Sequence, residues 1–178
     1  MSSPEPTSAV PFAEESRLCL SCGLCCSGTV YSAIPLDADE TELAQRAGFK
    51  LAPNAEGALE ACQPCPQLEG TACRLYGSWR PRACGAYACR LLLAVRAGDM
   101  EPDRAVAEVA RIKALIARHL PDHANRPLRE LVSEAADLTR RGAITPDRAQ
   151  LVVAVGAVNL EIDRVIRHPD QKTFGRTS

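Results

Sequence analysis

The chain has 178 residues, 46% hydrophobic and 24% charged, which is the balance of an ordinary globular protein and excludes a disordered or fibrous one. With 21 Lys and Arg against 22 Asp and Glu, and with no strong charge bias on either side of Gly98, it carries no positive field to hold nucleic-acid phosphates or an anionic membrane surface. The longest nearly apolar stretch, Leu151 to Leu160, is half of the roughly 20 residues that a membrane span needs.

In chain order, residues 1–16 are rich in Pro, Ser, Thr and Glu and too poor in apolar surface to offset ordering entropy, so a flexible tail is expected. This stretch has neither a basic n-region nor an apolar h-region, which does not read as a secretory signal and makes a cytoplasmic protein the expectation. Residues 17–98 hold all nine cysteines, Trp79 and the three tyrosines, and residues 99–178 hold none of these, so a boundary is expected near Gly98. Within the first part, residues 35–48 predict a short helix with Asp37 or Asp39 as N-cap and Gly48 as its stop. Extended-type residues on either side of Glu69-Gly70 predict a small hairpin that brings Cys65 and Cys73 together. After Pro81 a single helix is expected, with Leu91, Leu92 and Val95 on its apolar face and Gly98 at its end.

The second part predicts three helices, about 103–119, 128–141 and 146–167, with Pro121, Gly142 and Pro169 as stops and Thr145-Pro146 as a start. Their apolar residues recur at helical spacing: Val106, Val109, Ile112, Leu115 and Ile116, then Leu128, Leu131, Ala135 and Leu138, then Leu151, Val155, Val158, Ile162 and Ile166. The fold class expected is mainly α: a small irregular cysteine-rich metal-binding region, 17–98, with a short hairpin, packed beside a C-terminal helical bundle, 99–178.

The chemistry concentrates in Cys19-Leu-Ser-Cys22-Gly-Leu-Cys25-Cys26, four thiols in eight residues. In a reducing compartment such clustering points to metal or redox chemistry rather than disulfides. If the segment is helical, Cys19, Cys22 and Cys26 share a face with Cys25 at its edge; if it is a loop, Gly23 lets the backbone fold under an ion. Three thiolates converge either way, and the vicinal pair is too cramped for both members to complete one relaxed tetrahedron, so one of them serves a second centre or stays free. Cys62-Gln-Pro-Cys65 is a second C-x2-C, followed by Cys73, Cys84 and Cys89. Zinc takes four thiolates or histidines, and an iron–sulfur cluster also takes four thiolates, for which Cys65-Pro66 could supply the remote fourth ligand; softness and spacing suit both. Five arginines, Arg74, Arg80, Arg82, Arg90 and Arg96, stand against the single acid Glu69 between Cys65 and Arg96, a surround suited to balancing thiolate charge.

The succession Cys19-x-x-Cys22-Gly-x-Cys25-Cys26, Cys65-Pro-x-Leu68, Cys73-x-Leu-Tyr76 and Arg80-Pro81-x-x-Cys84 resembles the YkgJ-type cysteine-cluster family of zinc- or iron-chelating domains over roughly residues 17–90. The resemblance implies that Cys19, Cys22, Cys25, Cys26, Cys65, Cys73 and Cys84 are the metal-chelating set. It implies no particular reaction. The chain departs from the family in having three residues, Gly77, Ser78 and Trp79, between the Tyr and the Arg-Pro pair, and Gly85 where an Arg is usual. Cys62 and Cys89 lie outside the set, each an accessory ligand or a buried apolar thiol.

His119 and His123 are spaced i, i+4, but Pro121 intervenes and surface positions are expected; Trp79 is expected to pack over the metal site, and Arg140-Arg141 to close a helix. No phosphate loop, dinucleotide fingerprint, zinc-protease helix or nucleophile elbow is present, and no catalytic residue is assigned. The expectation is an accessory or structural protein that binds zinc or iron. The alternative is an iron–sulfur protein for electron transfer or oxidant sensing. The expected partner is a metal ion, with a protein partner open and nucleic acid and membrane excluded.

Overall fold

The computed structural model describes residues 12–121 and 126–167, so the expected tail up to residue 11, His123 and Pro169 lie outside it. The chain enters through helix α1 (Phe12–Cys22), with Glu14 and Glu15 in its first turn. Residues 12–16, read from composition as tail, are the start of this helix, and both carboxylate oxygens of Glu15 accept from Arg96 at 2.8 Å. The apolar anchor of the helix, Leu18, lies just beyond the stretch whose composition looked too polar.

Strand β1 (Ala33–Pro35), a 3-10 turn at Ala38–Glu40 and helix α2 (Thr41–Arg46) follow, then strands β2 (Leu51–Pro53) and β3 (Leu59–Cys62). The short helix expected here is thus a 3-10 turn running into α2, with Asp37 before it and Gly48, at φ +78, behind it. The three strands form an antiparallel sheet in the order β1-β3-β2, with Ala33 opposite Cys62 and Leu51 opposite Ala61. The predicted hairpin is β4 (Leu68–Glu69) paired with β5 (Ala72–Cys73), Leu68 facing Cys73.

After Pro81 the single expected helix is two, α3 (Arg82–Ala86) and α4 (Arg90–Ala97). The backbone is extended at Tyr87 and at Cys89, and Cys89 caps α4 by accepting from Leu92 N at 3.4 Å. Tyr87 uses the break to pack edge-to-face on Tyr31, centroids 5.0 Å apart, and a continuous helix would forgo both the cap and the ring contact. Gly98 ends α4 in the left-handed conformation, as predicted.

The remainder is α5 (Pro102–His119), α6 (Leu128–Arg140) and α7 (Pro146–Val165), close to the predicted bounds. Val109 and Ile112 of α5, Leu128, Leu131, Ala135 and Leu138 of α6, and Val155, Val158 and Ile162 of α7, with Ile166 just past it, are buried; Val106, Leu115, Ile116 and Leu151 pack at the edge of the core. That core does not stop at Gly98. It also contains Leu18 and Leu24 from α1 and the turn after it, Val30 and Tyr31, and Leu91, Leu92 and Val95 from α4. Polar ties cross the same line: Arg90 N donates to Ile166 O at 2.9 Å, and the buried Arg167 donates to Val30 O at 3.1 Å. A second, smaller core of Ile34, Ala44, Phe49 and Ala61 lies under the three-stranded sheet. The fold is therefore mainly α, with an irregular cysteine-rich part and a helical bundle. No helix among the described residues is long and apolar enough to cross a membrane.

Candidate metal centre

Helix α1 sets Cys19 and Cys22 one turn apart and then ends, because Gly23 takes φ +69. A side chain there would also be in the way: a Cβ on Gly23 would stand 3.0 Å from Thr71 O and 3.1 Å from Thr71 Cα, at the tip of the β4–β5 hairpin. Thr71 fastens that tip by donating its hydroxyl to Leu20 O at 2.9 Å. Beyond Gly23 the chain coils through hydrogen-bonded turns, Leu24 enters the core, and Cys25 and Cys26 come next to each other. The two readings of the motif both apply in part, helix for Cys19 and Cys22 and loop for Cys25 and Cys26.

The other thiols arrive from three elements. Cys65 N donates to Cys26 O at 2.7 Å, which places the loop before β4 against the vicinal pair. Cys73 ends β5. Cys84 lies in α3, whose start is pinned by Arg82 N donating to the buried Glu40 at 2.8 Å. Cys89 caps α4.

All seven cysteines of the expected set line one cavity of about 130 Å³, and so does Cys89. Cys62 does not line it: it sits on β3 opposite Ala33, with its N–H donated to Lys50 O at 2.8 Å. Cys19 is the exposed member of the array and the rest are half-buried. Sequence reasoning left Cys89 undecided. The signal available was its place immediately before the Arg90-Leu-Leu-Leu run, an N-cap position, but the expectation of an unbroken helix hid it.

Burial dominates the electrostatics. Removal from water pushes the Cys26 and Cys84 thiols up to about 12 and Cys89 up to about 11, and holds Cys25 well above its ordinary value of 9.0; repulsion between neighbouring thiolates adds to each. Burial likewise raises Cys19, Cys22 and Cys65. Without a cation these groups stay protonated near neutral pH.

Opposing cations are fewer than the sequence suggested. Arg74 is turned to Glu69, Arg82 to Asp37 and Asp39, and Arg90 to Arg167 O, so three of the five arginines are engaged elsewhere. Arg80 stacks 4.3 Å over the Tyr76 ring and attracts Cys19 and Cys84. Arg96 attracts Cys19 while bound to Glu15. Lys113 of α5, which the sequence gave no reason to include, attracts Cys22 and donates to Ser21 O at 2.8 Å, at the negative end of α1. Tyr76 and Arg80 both favour the Cys19 thiolate against its burial, so the Tyr and Arg of the C-x-L-Y and R-P-x-x-C motifs act on the same thiol. Trp79, expected over the metal site, packs against the smaller core that Cys65 and Cys84 also touch and does not line the cavity. His119 ends α5 and does not line the cavity.

Eight thiols around one largely apolar cavity fit a thiophilic ion by donor chemistry. Among the described residues, no three Cys, His, Asp or Glu side chains are already closed to the spacing that grips an ion. Binding of a cation by these thiols goes with loss of their protons. Bound there, zinc would supply a structural crosslink, and iron with sulfide would supply a one-electron couple.

No curated protein and no solved structure matches the chain. A family model does, over residues 18–106, a span that reaches from Leu18 through every cavity-lining cysteine into the first turns of α5. The chain belongs to that family, CxxCxxCC, described as "Putative zinc- or iron-chelating domain".

Proposed function

We propose that this chain is an accessory or structural protein that binds zinc or iron through cysteine thiolates, with Cys19, Cys22, Cys25, Cys26, Cys65, Cys73 and Cys84 among the ligands. The observation that carries this reading is the convergence of cysteines from α1, the turn after it, the hairpin, α3 and the α4 cap on one cavity. Isolated structural thiols do not assemble from five segments while a ninth, Cys62, stays on a strand of the sheet. The family description supports metal chelation by this span.

A second reading, an iron–sulfur protein for electron transfer or oxidant sensing, draws on the apolar cavity wall, which includes Leu18, Ile34, Phe49 and Leu75 and would shield a cluster from water. One experiment serves both. The full chain is purified without oxygen, and zinc, iron and acid-labile sulfide are measured per chain alongside the visible and electron paramagnetic resonance spectra. Stoichiometric zinc in colourless protein supports the structural role. Iron with sulfide, colour, and a signal on reduction that is lost in air support the redox role. Protein that carries neither metal and takes up neither on anaerobic incubation refutes metal binding.

A further inference from the structure

The eight cavity cysteines are not one undivided array. Cys22, Cys25 and Cys89 pack against the large helical core, whereas Cys65 and Cys84 pack against the small core under the sheet. Backbone connections follow the same division. Cys19 and Cys22 share α1, and the neighbouring cap of α4 carries Cys89. Cys26 is tied through its carbonyl to Cys65 N, and Cys65 and Cys73 flank the β4–β5 hairpin.

Cys25 packs against the large core, whereas the adjacent Cys26 is tied to Cys65, so the two neighbours in the chain face different surroundings. The vicinal pair thus divides its members between two groups, and each group has four sulfurs, the number that tetrahedral zinc or an iron–sulfur cluster requires.

The geometry points to two four-thiolate metal centres in one chain, the first built from Cys19, Cys22, Cys25 and Cys89 and the second from Cys26, Cys65, Cys73 and Cys84, with Cys62 in neither. This rests on the metal-binding reading above and adds to it a ligand, Cys89, a division of labour and a stoichiometry.

The test uses the full chain, made metal-free and reduced under anaerobic conditions, and titrated with cobalt(II), whose thiolate charge-transfer and d–d bands report sulfur ligation, and then with zinc. Two equivalents of metal per wild-type chain are expected. Cys89→Ser and Cys84→Ser are each expected to lose one equivalent and keep one, the double variant to lose both, and Cys62→Ser to keep two. Uptake of no metal by the wild type overturns the metal-binding reading itself. Uptake of one equivalent leaves that reading standing and overturns the two-centre division, as does full retention by Cys89→Ser or loss by Cys62→Ser. Because a variant could fail to fold, the wild type supplies an independent measurement: alkylation of the zinc-saturated chain, mapped by mass spectrometry. Modification confined to Cys62 supports the division; modification of Cys89, or of any four of the eight, overturns it.

Discussion

Gly23→Ala tests whether the seam between α1 and the hairpin controls the thiol array, and its cost divides into two separable parts. An L-residue at φ +69 costs about 1–2 kcal/mol relative to glycine. The new Cβ would also stand 3.0 Å from Thr71 O and 3.1 Å from Thr71 Cα, both backbone atoms, so the hairpin tip must retreat by a few tenths of an ångström and strain the Thr71–Leu20 hydrogen bond. Weakening that bond adds about 0.5–1.5 kcal/mol. Gly48→Ala is the control: its φ is +78, but nothing lies within 4 Å of the added carbon, so only the conformational part remains. Urea unfolding of the metal-free, reduced chains should therefore show Gly23→Ala less stable than wild type by about 2–3 kcal/mol and Gly48→Ala by about 1–2 kcal/mol. Competition with a zinc chelator should show weakened affinity in Gly23→Ala alone, because the displaced hairpin carries Cys73 and adjoins Cys65. Equal destabilisation by the two substitutions, or unchanged zinc affinity in Gly23→Ala, would refute the claim that the hairpin contact sets the cavity.

Three further outcomes are expected. Ile112→Ala, at a position with 0% exposure, should cost about 2–5 kcal/mol. Because the core crosses Gly98, amide protection in α4 and in α7 should fall together, and loss of protection in one alone would show that the two halves unfold independently. Burial raises the folded-state Cys26 and Cys84 thiols to about 12 from the 9.0 expected of an exposed thiol, so between those limits the folded chain binds more protons than the unfolded one. The stability they contribute is complete below about pH 9 and lost as pH rises toward 12, so the urea midpoint of metal-free protein should fall above about pH 9, and a flat profile would contradict the burial. Tyr76→Phe keeps the ring under Arg80 but removes the hydroxyl that favours the Cys19 thiolate; zinc affinity should drop by up to about tenfold, the scale of one hydrogen bond to a charged group, and unchanged affinity in a chelator competition would refute that role.

Much of this was legible from local pattern. The three long helices follow from apolar residues at helical spacing with Pro and Gly at their ends, and the β4–β5 hairpin from the Glu69-Gly70 turn between extended residues. The break at Tyr87–Cys89 was only faintly legible, because no proline interrupts the run from Arg82 to Gly98 and the position of Cys89 before Arg90-Leu-Leu-Leu is a weak signal by itself. The break is set by a ring contact with Tyr31, more than fifty residues away, and by a sulfur in the unusual role of N-cap. Missing it left Cys89 on a helix face instead of at the cavity. Lys113 was missed for a similar reason, since only the docking of α5 on α1 brings it to the end of that helix. The arginines were over-read: a count of charges along the chain does not register that Arg82 meets Asp37 and Asp39, 45 and 43 residues away in sequence.

The two groups of thiols differ in how firmly the fold holds them, and that difference predicts an order of events. In the first group, Cys19 follows the buried Leu18, Cys25 follows the buried Leu24, and Cys89 lies between the buried Ala88 and Leu91. Each backbone is fixed by the large core, so an ion arriving there orders side chains rather than chain, and the entropic cost is small. In the second group, Cys65 lies in the loop before β4 and Cys73 ends β5, strands of two residues too short to hold themselves, and Cys84 sits in a five-residue helix with no buried side chain of its own. Binding there must order backbone at roughly 1–2 kcal/mol per residue, and that cost is taken from the affinity. The first equivalent of zinc should therefore protect Cys25 and Cys89 from alkylation before it protects Cys65 and Cys73. The second should raise amide protection across 62–86 while leaving α5 to α7 almost unchanged. The reverse order of protection would mean that the helical bundle, despite packing against three of the four thiols of the first group, does not preorganise them.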